Sequence, residues 1–97
     1  MSSSEMASEI CSFLKSLASE SRLKILMVFM DGQERTVNQV SEAVGVGQST
    51  CSEHLMILKR AGVVRSEKRG KEVIYSPDRA MITNKLDELS QFLKQCC

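Results

Sequence analysis

The stretch GQSTCSEHLMILKRAGVV, residues 47–64, decides the fold through the way its faces divide. Advancing roughly 100° per residue round a helix, Cys51, Leu55 and Leu58 fall on one side, while Ser49, Ser52, Glu53, Met56 and Arg60 fall on the other. The first side is uncharged and suited to packing. The second begins with small polar residues and ends basic, so it is left for solvent or a partner. Gly62 supplies the stop. The following VVRSEKRGKEVIYS predicts two short strands, 63–67 and 72–76, joined by a turn at Lys68, Arg69, Gly70 and Lys71.

Upstream, Thr36 can cap a short helix carrying Val37, Val40 and Val44 and ending at Gly45, and the turn GVGQS leads from it into the next helix. A short helix, a tight turn, a second helix and a basic hairpin follow one another in the order of a winged helix-turn-helix, with the helix-turn-helix over 36–62 and the wing over 63–76. In that module the second helix enters the major groove by its first turns and the hairpin reaches the phosphate backbone. Gln48, Ser49, Thr50 and Ser52 are then the candidates for hydrogen bonds to base edges or phosphates. Arg60, Lys68, Arg69 and Lys71 supply charge. Glu53 either accepts from a cytosine amino group or points into solvent. The chain's net charge is only +1, but residues 59–72 hold six basic residues against two acidic ones, a local excess of +4. A solvated basic loop is the plainer account of such a run.

The flanks read as helices. Met6, Ile10, Phe13 and Leu17 mark one stripe of a helix over 8–18, with residues 1–7 expected to be disordered. Ser19 or Ser21 caps the next helix, in which Leu23, Leu26, Met27 and Met30 share a face and Asp31-Gly32 supplies the stop. Ile25, Val28 and Phe29 make it apolar nearly all round, which predicts a place in the middle of the core. From Pro77, taken as a helix-start residue, a last helix over 77–96 carries Ile82, Leu86, Leu89, Leu93 and Cys96 at heptad spacing. The expected architecture is mainly α with a small β-hairpin: one domain over 1–97, five helices and a two-stranded wing. A chain of 97 residues buries a limited core and often gains stability by pairing with a copy of itself. Ile10, Phe13 and Leu17 of the first helix, with Ile82, Leu86, Leu89 and Leu93 of the last, are the expected dimer interface.

Other classes are excluded or disfavoured. The longest apolar run, 25–30, is too short to span a bilayer. MSSSEMASEI has neither a basic leader nor an apolar signal core, predicting a cytoplasmic protein with no membrane partner. Four cysteines without a CxxC pair fit a reducing compartment. One histidine, no Gly-rich phosphate loop and no paired acid and nucleophile leave no visible catalysis, so no enzyme is expected. Cys51, on the apolar face, is most economically a small core residue, with sensing as the alternative. His54 reads as a hydrogen-bonded structural group.

LKSLASESRLKILMVF followed by TVNQVSEAVGVGQSTCSEHLMILKRAGVVRSEKRGKEVIYS resembles the ArsR/SmtB family of transcriptional repressors. QSTCSEHLMILKRAGVV, GKEVIYS and the set Leu17, Ala18, Arg22, Leu23 and Ile25 carry the likeness. The resemblance implies a homodimeric winged helix joined by its first and last helices, binding double-stranded DNA at an inverted repeat and repressing a promoter until an inducer binds. Family metal sensors often carry a Cys-x-Cys pair at the start of the third helix, where this chain has Thr36 and Asn38. A zinc site of Asp, His and Glu on the last helix lacks its histidine here, although Asp78, Asp87 and Glu88 are present. In the family dimer Cys11 would approach Cys96 or Cys97, and three thiolates suit As(III), Cd(II) or Pb(II). Adjacent thiols also oxidise or form persulfides, and cysteines at a chain end and an interface can equally have no sensing role. From a different class, a winged-helix dimer acting as a protein-interaction module is the alternative, which the basic wing disfavours.

Overall fold

The protein is described here by a computed structural model covering residues 3–96, and its side chains over 5–95. Helix α1 (Ser3–Leu17) starts ahead of the expected residue 8, so 3–7, expected to be disordered, are helical. Met6 and Ala7 extend the apolar stripe back by one turn and line a groove with Leu89 and Phe92 of the last helix. Glu5 in the first turn complements the helix dipole.

Helix α2 (Glu20–Val28) is capped by Ser19, whose hydroxyl accepts from the Arg22 backbone N–H at 3.3 Å. A 3₁₀ turn, Phe29–Asp31, closes on Gly32 at φ 78°, the left-handed stop foreseen at Asp31-Gly32. The expectation that α2 sits in the middle of the core is corrected. Ile25, Leu26 and Phe29 are buried, but Leu23, Met27 and Met30 are exposed, Met27 by 64%. The remaining elements cover only one side of α2, so an all-round apolar helix leaves an apolar face outside.

Helix α3 (Val37–Val44) begins with a full capping box, in which the Thr36 hydroxyl accepts from the Gln39 N–H and the Gln39 amide oxygen accepts from the Thr36 N–H. Helix α4 (Gln48–Arg60) follows after three residues, 45–47. A strand β1 (Arg35–Thr36) precedes α3 and was not anticipated, because two residues ahead of a cap carry no readable alternation. It pairs antiparallel with β3 (Glu72–Pro77), which pairs on its other side with β2 (Val64–Arg69), giving the order β1-β3-β2. The wing strands run further than expected, so Lys68 and Arg69 lie in β2 and the turn shrinks to Gly70-Lys71, with Gly70 at φ 62°.

Helix α5 (Arg79–Cys96) does not start at Pro77. Pro77 ends β3 opposite Val64, buried. Asp78 takes over the cap, its carboxylate accepting from the Met81 N–H at 3.1 Å. The core gathers Phe13, Ile25, Phe29, Val40, Cys51, Leu55, Leu58, Val63 and Tyr75 from every layer, and α5 packs along α1. No helix of the described residues is long and apolar enough to cross a membrane.

Candidate nucleic-acid interface

The buried side of α4 is as foreseen: Cys51, Leu55 and Leu58 are fully enclosed. That seating turns Gln48, Ser49, Thr50, Glu53, Met56 and Arg60 outward, with Ser52 half-buried between the faces. The Gln48 amide donates to Asn38 Oδ1, tying the first turn of α4 to the first turn of α3. Sequence reasoning passed over Asn38 as a site residue. The tight turn is the signal that could have found it, since it sets the start of α3 beside the start of α4. Thr36, Asn38, Gln48 and Val73 of the wing line one shallow recess, so the helix pair and the hairpin present a continuous polar surface.

The wing carries one correction. Arg69, foreseen as a free phosphate contact, donates to Glu34 at 2.6 Å and to Glu67 at 2.8 Å, and the two carboxylates raise its already high pKa. Its charge is balanced and its task is to strap the end of β2 to the loop before β1. Glu34 lies 35 residues away in the chain, so no local pattern announced it. Arg65 stands 3.9 Å from Asp78. Lys59, Arg60, Lys68 and Lys71 form no ion pair with the described residues and carry the positive surface.

Behind the interface, the Arg22 guanidinium donates to the carbonyls of Ser16 at 2.7 Å and Lys15 at 3.2 Å, completing the end of α1. It also approaches His54 Nδ1 at 3.4 Å, so His54 links α1 and α2 to α4 as a structural group. Cys51 points its thiol at the Val37 carbonyl, 3.8 Å away, and burial pushes its pKa up. A packed, protonated thiol is a poor nucleophile. Brief treatment with a thiol-alkylating reagent near pH 8 is therefore expected to label exposed Cys11 and leave Cys51 unmodified until denaturant is added, as peptide mass mapping would read. Equal labelling of both in the folded protein would contradict the packing role.

Some of the expected dimer residues serve the protomer itself. Ile10 and Phe13 are buried within one chain, because the α1 stripe is taken up by α2, α4 and α5. Leu17, Ile82 and Leu89 are half-buried, while Leu86 and Leu93 face outward with Leu14 and Phe92. Cys97 and the side chain of Cys96 lie outside the described residues.

The residues present do not fit the family's two metal sites. The Thr36 hydroxyl is engaged in capping α3 and the Asn38 carbonyl in accepting from Gln48, and both are hard oxygen groups where a soft ion needs thiolates. On α5, Asp78 caps the helix and Glu88 pairs with Lys85 at 3.2 Å, with no histidine beside them.

The family model for "Bacterial regulatory protein, arsR family" matches residues 19–66, α2 through the start of β2. The chain is 34% identical over 85 residues to the HTH-type transcriptional regulator NmtR of Mycobacterium tuberculosis, covering 88% of this chain and 70% of NmtR. It is 42% identical over 62 residues to the transcriptional repressor SmtB of the same species, covering 64% of this chain but only 45% of SmtB. Among solved structures, an ArsR-like transcriptional regulator from Rhodococcus superposes with a TM-score of 0.83 at 22% identity over 92% of this chain and 83% of that one, a likeness of fold. The homodimeric winged helix-turn-helix DNA-binding domain of a possible ArsR-family regulator from Mycobacterium bovis superposes with a TM-score of 0.77 at 26% identity, covering 98% and 88%. With a winged helix-turn-helix in place and a relative matched along most of both chains, the protein belongs to the ArsR family of bacterial regulatory proteins.

Proposed function

We propose that the protein is a homodimeric, sequence-specific DNA-binding repressor of the cytoplasm. In this reading its operator is a short inverted repeat with half-sites about one helical turn, roughly 34 Å, apart. The observation that carries it is the division of α4: one face fully enclosed, the other offering Gln48, Ser49, Thr50, Ser52 and Glu53 beside a wing with two unpaired lysines. The Mycobacterium bovis relative, described as a homodimeric DNA-binding domain, supports both halves of the proposal. Exposed apolar residues on α1 and α5, Leu93 by 59%, are the kind of surface a second copy covers.

Base contacts specify and phosphate contacts position. Ser52→Ala is expected to change the ranking of operator variants while moving the average affinity little, read by fluorescence anisotropy on a set of single-base variants. An unchanged ranking with uniformly weaker binding would place Ser52 on the backbone instead.

Release from DNA is assigned to an inducer. A thiol route through Cys11, Cys96 and Cys97, to a soft ion such as As(III), Cd(II) or Pb(II) or to an oxidised or persulfidated form, is one version of the proposal. Exposed Cys11 on α1 is its support.

A further inference from the structure

A cleft of about 520 Å³ lies between α1 and the last turns of α4. Ser8, Ser12 and Lys15 line it from α1, Arg22 from α2, and Ile57 and Arg60 from α4. The serines and the lysine share one stripe of α1, at i, i+4 and i+7, that the core does not use. Three cations meet there and no carboxylate is among the lining residues. Lys15 and Arg60 make no ion pair with the described residues. The Arg22 guanidinium is held in place by the carbonyls of Ser16 and Lys15, so little freedom remains to be lost when a ligand arrives. Ile57 and the neighbouring Ala61 and Cys11 add an apolar wall.

We infer that this cleft binds a small organic anion: a carboxylate paired with the fixed guanidinium of Arg22 and with Lys15 or Arg60, its apolar body against Ile57 and Ala61. Planar guanidinium groups match carboxylates in geometry as well as charge. The cleft is distinct from the base-reading end of α4: at 1.5 Å per residue, Arg60 stands roughly 18 Å along the helix from Gln48. An occupant would touch α1 and the recognition helix together, so its binding is coupled to the DNA affinity of α4. That coupling rests on the repressor proposed above; occupancy of the cleft does not.

The test is a titration of the reduced, DNA-free protein with sodium benzoate at fixed ionic strength, followed by ¹H–¹⁵N correlation spectra, with sodium phosphate in a parallel arm. Saturable benzoate shifts at Ser12, Lys15 and Ile57, weakened about tenfold or more in Lys15→Glu and also in Ser12→Asp, are expected. Unchanged circular dichroism confirms that both variants fold. Shifts confined to the wing or the first turn of α4, or shifts insensitive to both substitutions, would overturn the site. Response to phosphate alone would overturn the organic class of ligand, and loss of benzoate binding when duplex DNA fills the cleft would make it a phosphate-backbone contact. The affinity of Lys15→Glu for DNA without benzoate is read separately, so failure of the repressor proposal and failure of the cleft are told apart.

Discussion

Leu55→Ala is expected to destabilise the folded protein by about 2–5 kcal/mol, the range for truncating an enclosed leucine. Leu55 has no exposed surface and sits mid-way along α4, in a cluster with Phe13, Ile25, Phe29, Val40 and Tyr75. Its loss removes both the transfer free energy of the deleted atoms and the contacts of the side chains left around the void. A small domain has roughly 5–15 kcal/mol in total, so the change consumes a large share of the stability. In a chain of this length each kcal/mol lowers Tm by about 4–8 °C. Met56 is the neighbour on the opposite, outward face. Met56→Ala is expected to stay within about 0.5 kcal/mol of wild type. Urea unfolding of the two variants side by side reads the difference; equal losses would mean that the faces of α4 are misassigned, and the recognition surface with them.

Neutralising Lys68 and Lys71 together is expected to weaken binding to every DNA sequence and to flatten the dependence of log K on log salt by about 0.9 per lysine. Both are exposed at the wing tip and free of carboxylate partners among the described residues, so any phosphate within reach meets an uncompensated charge. Arg69 between them behaves differently. Its charge is already satisfied by Glu34 and Glu67, and an arginine so engaged releases few counterions from DNA. Arg69→Gln is expected to leave the salt slope near the wild-type value and to lower affinity through a loosened wing. If Arg69→Gln flattened the slope as much as either lysine change, the strap would be open in the complex and Arg69 would be a phosphate contact.

The parts of the fold that follow from local pattern were legible in the sequence, and those that depend on distant partners were not. The faces of α4, the Thr36 cap, the Gly32 and Gly45 stops and the presence of a hairpin each rest on residues within a turn or two of one another. Strand β1, Asp78 as the cap of α5, the outward face of α2 and the clamp on Arg69 depend on what the folded chain brings alongside. Pro77 shows the distinction well: its fixed φ suits a first helical turn, but it also suits the end of a strand, and pairing with Val64 decides for the strand. The candidate interface was visible as residue types at the right spacing. Which of its cations are free to meet a phosphate was not, because Glu34 is remote in sequence. The dimer stripe on α1 was misjudged in part for a related reason: Ile10 and Phe13 have the spacing of an interface and are taken up by the protomer's own core.

The central claim is that the first turns of α4 read base edges in duplex DNA while the wing holds the backbone. Selection of tight binders from a pool of randomised duplexes tests it most directly, with wild-type protein and Ser49→Glu carried through the same rounds. The account predicts that wild type enriches an inverted repeat with half-sites about one helical turn apart, and that a carboxylate at position 49, set against the groove, abolishes the enrichment. Enrichment of no sequence by the wild type, or the same sequence recovered by both proteins, would contradict it.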